Sequence, residues 1–246
     1  MFSDLFIYIV IGFSAQLVDS ALGMAFGSLS SSMLLAIGFP VHSISATVHA
    51  AEVFGGGAAT FSHWRLKNID WSLLTKLLLP AVLGASFGAF LILRFDDSQS
   101  LKPWIGGYFS IVGIIIIVKS IAPKIIKTVK TPPQLLGLLG GFLDAFGGAG
   151  WGEFVSSGLL LRNHTVRTAI GSLVCVEFII SAVITAIFFQ SSELNYPIVI
   201  LGLVIGAVIG APIGAWVCKR APAKKLTFFV GLFICIAGGR AVYQSF

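Results

Sequence analysis

Four carboxylates recur in register along this chain. Asp19 and Glu52 in the first half stand 125 residues before Asp144 and Glu177 in the second, each inside an almost purely apolar stretch. Carboxylates in such surroundings are costly to bury and mark ion or proton paths by default. The register extends well beyond them. Gly12 through Phe54 align without a gap on Gly137 through Ile179, pairing Gly23 with Gly148, Gly27 with Gly152, Ser31-Ser32 with Ser156-Ser157 and Leu34-Leu35 with Leu159-Leu160. In membrane proteins, an internal duplication built on interrupted, glycine-rich helices points to a transport site at the repeat interface.

The duplicated residues divide by the chemistry open to them. Glu52 has His49 one helical turn before it, so the two share a face; Glu177 has Val174 at that place, which makes the arrangement asymmetric. A carboxyl at mid-depth can take up and release protons, so Glu52 and Glu177 are candidate proton-coupling groups. The alternative is a neutral acid that fixes a broken helix by bonding its free amides, since burial favours the uncharged form. Asp19 and Asp144 stand where a glycine run interrupts a helix, so each is also an N-cap for the helix that restarts. A helix that begins at membrane depth presents unpaired amides and the positive end of its dipole. Small residues let an anion approach, and hydroxyls add donors. Gly23, Gly27 and Ser31, with Gly148, Gly152 and Ser156, fit that description. Trp151, a bulky ring amid glycines, is expected to line the cavity, with Gln16 and Glu153 as weaker candidates beside it. Glycine can also serve close helix packing alone, which accounts for Gly84, Gly88, Gly210 and Gly214.

The elements that carry these residues follow from composition. The chain is 57% hydrophobic and 11% charged, with mean hydropathy +0.97, outside the balance of a soluble domain. Apolar runs at 72–93, 103–120, 166–190, 196–218 and 223–243 are long enough to cross about 30 Å of hydrocarbon. The net charge of +6 resides in short loops and is not interleaved with aromatics, which excludes a nucleic-acid surface. The amino-terminal residues lack the basic region and small-residue cleavage site of a signal peptide. Cys175, Cys218 and Cys235 lie in apolar segments without paired spacing and read as packing residues. No nucleophile–base pair, metal-ligand spacing or P-loop occurs, so neither an enzyme nor a cofactor is expected.

Residues 5–37 and 135–162 are each too long for one untilted span and too short for two. Loop charges choose between a continuous helix and a hairpin. If each segment crosses once, the sixteen Lys and Arg divide evenly between the two sides. If each turns back, one side holds Arg65, Lys67, Lys76, Lys119, Lys124, Lys127, Lys130, Arg162, Arg167, Lys219, Arg220, Lys224 and Lys225, and the other only Arg94, Lys102 and Arg240. Positive residues collect on the cytoplasmic side, so the hairpin arrangement is expected, with both termini outside the cytoplasm. Each repeat then has five membrane elements, an odd number, and the second is inserted upside down relative to the first. The expected fold is an all-α polytopic membrane protein of two inverted repeats, each a broken, re-entrant hairpin plus three transmembrane helices. The first repeat is placed at 1–120, a basic cytoplasmic linker at 121–133 and the second repeat at 134–246. His63, Trp64 and Arg65, followed by Asn68, Ile69, Asp70 and Trp71, read as an interfacial belt, and Arg162 and Arg167 as loop charges able to steer anions.

Asp19 followed by Gly23-Met24-Ala25-Phe26-Gly27, hydroxyls and Leu34-Leu35, answered in the second half, resembles the sulfite exporter TauE/SafE family. The Asn68-Ile69-Asp70-Trp71 stretch and the Gly-Ala-x-x-Gly-Ala helices at Gly84–Ala89 and Gly210–Ala215 share the resemblance, which covers essentially the whole chain. It implies secondary transport, usually outward, of sulfite or organosulfonates across the cytoplasmic membrane. Many members carry a glycine triplet and a proline before the Leu-Leu; here Ser28-Leu29-Ser30-Ser31 and Glu153-Phe154-Val155-Ser156 stand there. That departure leaves the particular substrate open. The partners expected are a small sulfur-containing anion and the lipid bilayer. A passive anion channel and a non-transporting membrane subunit are the alternatives.

Overall fold

The computed structural model describes residues 2–94, 98–122, 132–148, 151–159, 166–191, 194–217 and 223–243. Among the described residues ten helices follow one another: α1 (Phe2–Leu22), α2 (Phe26–Ala36), α3 (Val41–Arg65), α4 (Trp71–Ile92), α5 (Ser98–Ile121), α6 (Pro133–Gly147), α7 (Trp151–Leu159), α8 (Val166–Gln190), α9 (Pro197–Val217) and α10 (Ala223–Tyr243). No strand occurs among the described residues. The linker residues 123–131, Leu160, Arg162, Cys218, Lys219 and Arg220 lie outside them, as do the side chains of Glu153 and Ser156.

Both duplicated segments break where glycine allows it. α1 ends at Leu22, and the chain leaves through Gly23 at φ 69° and Ala25 at φ 100° before α2 starts. α6 ends at Gly147 and leaves through Gly148, also at φ 69°. These two glycines are the 125-residue counterparts, and only glycine takes that left-handed conformation without a steric penalty. α7 doubles back along α6, since Gly140 lies against Val155 and Trp151. The hairpins are unequal, however. α1 has 21 residues, enough to span by itself, whereas α2 has 11, α6 has 15 and α7 has 9.

Among the described residues, five helices are long and apolar enough to cross a membrane: Leu5–Leu22, Trp71–Ile92, Pro103–Ile121, Arg167–Gln190 and Pro197–Val217. α3 is as long as any, 25 residues, or about 37 Å. His49, Glu52 and the Gly55–Gly57 run lower its hydropathy, and Glu52 and His49 are nevertheless almost completely buried. Leu79, Leu83, Phe87 and Phe90 on α4, and Leu201, Ile205, Val208 and Trp216 on α9, form exposed apolar faces. Lipid covers such faces in a multi-pass membrane protein.

The helix contacts repeat when the halves are exchanged. α1 packs on α9 as α6 packs on α4, and α3 contacts α9 as α8 contacts α4. Individual residues follow the same rule. Gly84 lies against Leu138 and Phe142, and Gly210 against their counterparts Phe13 and Leu17; Gly88 meets Phe142 and Ala145, and Gly214 meets Leu17 and Ser20. A side chain at any of these four glycines would strike the backbone of the facing helix, which is the close-packing role read from the sequence. Where a helix meets its own counterpart, the two run antiparallel. Along α3 and α8, Glu52 pairs with Ser181, Gly56 with Phe178 and Thr60 with Val174. Along α5 and α10, Gly113 faces Gly231 and Cys235, while Gly238 faces Gly106 and Ser110. The first repeat's opening helix is thus held by the fourth helix of the second, and conversely, so neither half has a separate core.

Candidate functional site

The two glycine corners meet inside the molecule. Gly152 at the start of α7 lies directly on the Gly23–Met24 backbone, and Gly23 packs against Ile170 of α8. On the other side, Gly148 sits against Ser45 of α3, the counterpart of Ile170, and Ser31 Oγ donates to the Gly148 carbonyl at 2.6 Å. Ser45 Oγ donates to the Ala145 carbonyl at 2.9 Å. α2 and α3 of the first repeat therefore fasten the corner of the second, residues 144–148. These bonds satisfy carbonyls that a broken helix leaves without intrahelical partners.

Asp144 is the centre of this corner. Its Oδ1 accepts the Trp151 backbone N–H at 3.3 Å, reaching over the break to the first residue of α7, the capping role expected for it. Its Oδ2 lies 3.2 Å from His49 Nε2, and both side chains are at most 2% exposed. His49 is oriented by its other nitrogen, which lies 2.8 Å from the Ser45 carbonyl oxygen. Glu52, one turn further along α3, completes a buried group in which one donor atom from each of His49, Glu52 and Asp144 lies within 4.8 Å of the others. Ser181 Oγ of α8 donates to Glu52 Oε2 at 2.8 Å. Three groups able to share protons or hold a cation are thus collected from α3 and α6.

The remaining sequence candidates divide. Asp19 is buried like Asp144, but Gln16 of its own helix holds it, with Nε2 donating to Asp19 Oδ2 at 3.2 Å. Gln16 also reaches Ser20 Oγ and lies against Gly55 of α3. Gly27 is buried in α2, and Glu177 is buried on α8 outside the His49 group. Trp151 stands at the start of α7. It is fully buried, its ring lies near Gly140, and its indole N–H donates to the Leu173 carbonyl at 3.2 Å. In this conformation the ring is packed within the corner. Arg167, read as a steering charge, donates to the Leu66 carbonyl at 3.2 Å and ties the α3–α4 connection to α8.

Two polar positions of consequence escape a reading by repeats alone. Ser45 and Ser181 join the halves, and both stand four residues from a singled-out residue, His49 and Glu177. That i, i+4 spacing was the available signal. Of the residues read as an interfacial belt, His63 and Asn68 are buried inside the protein, whereas Trp64 and Trp71 are exposed. His63 is fully buried, with Nε2 donating to the Ser20 carbonyl at 3.1 Å and Nδ1 accepting from Asn68 Nδ2 at 3.0 Å. Ser20 and Ala145 are repeat counterparts, so each hairpin carbonyl following the aspartate is bonded by α3, one near each end of that helix.

Broken helices joined through buried carboxylates, in a chain of apolar spans, define a polytopic helical membrane protein of the transporter class. Residues 8–241 match the sulfite exporter TauE/SafE family, and the chain belongs to it. The "Probable membrane transporter protein YtnM" of Bacillus subtilis (strain 168) is 31% identical over 252 aligned positions, covering 98% of this chain and 83% of that protein. The "Probable membrane transporter protein MJ0441" of Methanocaldococcus jannaschii is 28% identical over 171 positions, 66% of this chain and 64% of that protein. No solved structure matches the chain.

Proposed function

We propose that this membrane transporter exports a small sulfur-containing anion, sulfite or an organosulfonate, across the cytoplasmic membrane in exchange for protons. The observation that carries the reading is the meeting of the two glycine corners, Gly23–Met24 against Gly152, with the hydroxyl of Ser31 beside Gly148. Helix starts from opposite halves converge there, and their amides and hydroxyls suit an oxyanion without an intramembrane arginine. Substrate contacts are assigned to Gln16, Asp19, Gly23, Gly27, Ser31, His49, Asp144, Gly148, Trp151, Gly152 and Ser156, and proton coupling to Glu52 and Glu177. Movement of Trp151 opens the corner to substrate. The repeats are inverted in the membrane, and the antiparallel pairing of α3 with α8 and of α5 with α10 supports this. When counterpart helices that cross a bilayer run antiparallel, the axis relating them lies in the membrane plane.

The test is thermal unfolding of the purified protein against sulfite, sulfate, thiosulfate, taurine and sulfoacetate. A ligand of the native state raises the transition by mass action, and a hundredfold excess over Kd contributes about 2.7 kcal/mol. Selective stabilisation by one of the sulfur anions, followed by its pH-gradient-driven movement in proteoliposomes, supports the reading. Uniform response to all anions, with flux that never exceeds the substrate's own gradient, would instead identify a passive channel.

A further inference from the structure

We infer that the coupling proton resides between His49 Nε2 and Asp144 Oδ2, and that this shared proton latches the second hairpin to the first repeat; the inference rests on the proton-coupled reading above. The hydrogen bonds themselves require a proton at this place. His49 Nδ1 faces the Ser45 carbonyl oxygen at 2.8 Å, and a carbonyl only accepts. Ser45 Oγ, 3.3 Å from the same nitrogen, already donates its hydrogen to Ala145. Nδ1 therefore carries a hydrogen, and Nε2 of a neutral ring is a bare acceptor. It lies 3.2 Å from Asp144 Oδ2, which in the ionised form also only accepts. Two acceptors at that distance repel unless one proton lies between them, on the ring or on the acid. Either placement makes the bond, and moving between the two breaks nothing else.

What the proton fastens is specific. His49 belongs to α3 of the first repeat and Asp144 to the broken helix of the second, and the bond joins residues 95 apart in sequence. Asp144 also caps α7 through the Trp151 amide, so its hold on His49 bears on where α7 starts. Glu52, whose carboxyl is part of the same buried group, is the place to which the proton passes when the pair opens. In the opposite hairpin Val174 stands where His49 would be, and Gln16 donates to Asp19 from its own helix. A transition metal fits less well, because bonds of about 2.0–2.1 Å bring donors to within about 3.5 Å of one another, whereas this group spreads to 4.8 Å.

Other titratable groups on helices packed against α3 are few among the described side chains: Tyr8 and Asp19 on α1, Tyr108 and Lys119 on α5, and Arg167, Cys175 and Glu177 on α8. α3 itself adds His63 and Arg65, α6 contributes only Asp144, and α2 and α9 have none. Variants must therefore isolate the pair. His49→Gln and Asp144→Asn each place an amide donor where the proton was, so they keep the bond and remove its titration. Thermal unfolding of the purified protein from pH 6 to 9 is the first measurement. The wild type is expected to lose several degrees as the pair gives up its proton and acceptor faces acceptor, while both variants show at most half that loss. In proteoliposomes the variants are expected to lose pH-driven sulfite movement at least tenfold. A pH profile of unfolding that both variants share with the wild type overturns the inference, as does undiminished gradient-driven transport. Stabilisation of the wild type by zinc, absent from His49→Gln, also overturns it by making the group a metal site. A wild type that moves no sulfur anion removes the transport reading, and the unfolding profiles then still decide whether the pair shares a proton.

Discussion

Ser31 of α2 and Gly148, the left-handed residue that ends α6, are joined by a 2.6 Å hydrogen bond across 117 residues of chain. The bond places the small re-entrant helix of one repeat against the turning point of the other. Together with Ser45 on the Ala145 carbonyl and His49 on Asp144, it holds the carboxyl end of α6, where helix carbonyls lack intrahelical partners.

Removing these donors is expected to weaken the assembly in proportion to the carbonyl left unbonded. Ser31→Ala and Ser45→Ala each strand a buried carbonyl, a loss of about 1–3 kcal/mol. Thermal unfolding in detergent should show each variant destabilised. Wild-type transitions in both would mean that the corner is held by packing alone.

Glycine positions separate packing from tolerance. A β-carbon at Gly152 meets the Met24 backbone, so Gly152→Ala forces the two corners apart and should cost about 1–3 kcal/mol, as overpacking does. Ligand-induced stabilisation should fall with it. Gly107 has nothing within 4 Å, and Gly107→Ala should leave yield, unfolding temperature and ligand response unchanged. Equal behaviour of the two variants would show that the corners do not meet as described.

Topology follows from charge. Tags before Met1 and after Phe246 are expected to be reachable from outside the cytoplasm, and a cysteine introduced at Lys127 should be labelled only by a membrane-permeant reagent. Termini found on opposite faces would contradict the inverted arrangement.

Glu52 and Glu177 are counterparts with different surroundings, since only Glu52 shares its site with His49 and Asp144. Glu52→Gln keeps shape and the bond from Ser181 but removes titration. It should bind sulfite normally and lose at least tenfold in pH-driven transport, whereas Glu177→Gln should change mainly stability. Proton-driven transport by Glu52→Gln at the wild-type rate would remove Glu52 from the coupling path.

The sequence alone determined the solvent, the helical class, the duplication and the two places where helices break. Long apolar runs leave hydrocarbon as the only suitable surroundings, and the backbone there must satisfy itself within helices. Gly23 and Gly148 marked the breaks because a left-handed turn nearly demands glycine. The paired stripes Gly84–Gly88 and Gly210–Gly214 were legible because small residues at helical spacing have one common use. Tertiary structure alone decided which polar groups meet. Asp144 finds His49 of the other repeat, a meeting that no local pattern encodes because the partners come from distant parts of the chain. That the Trp151 ring lies near Gly140 and its N–H finds the Leu173 carbonyl is likewise decided by the fold. His63 looked interfacial from its neighbours Trp64 and Arg65, but a helix has two sides, and the fold turned its imidazole inward onto Ser20.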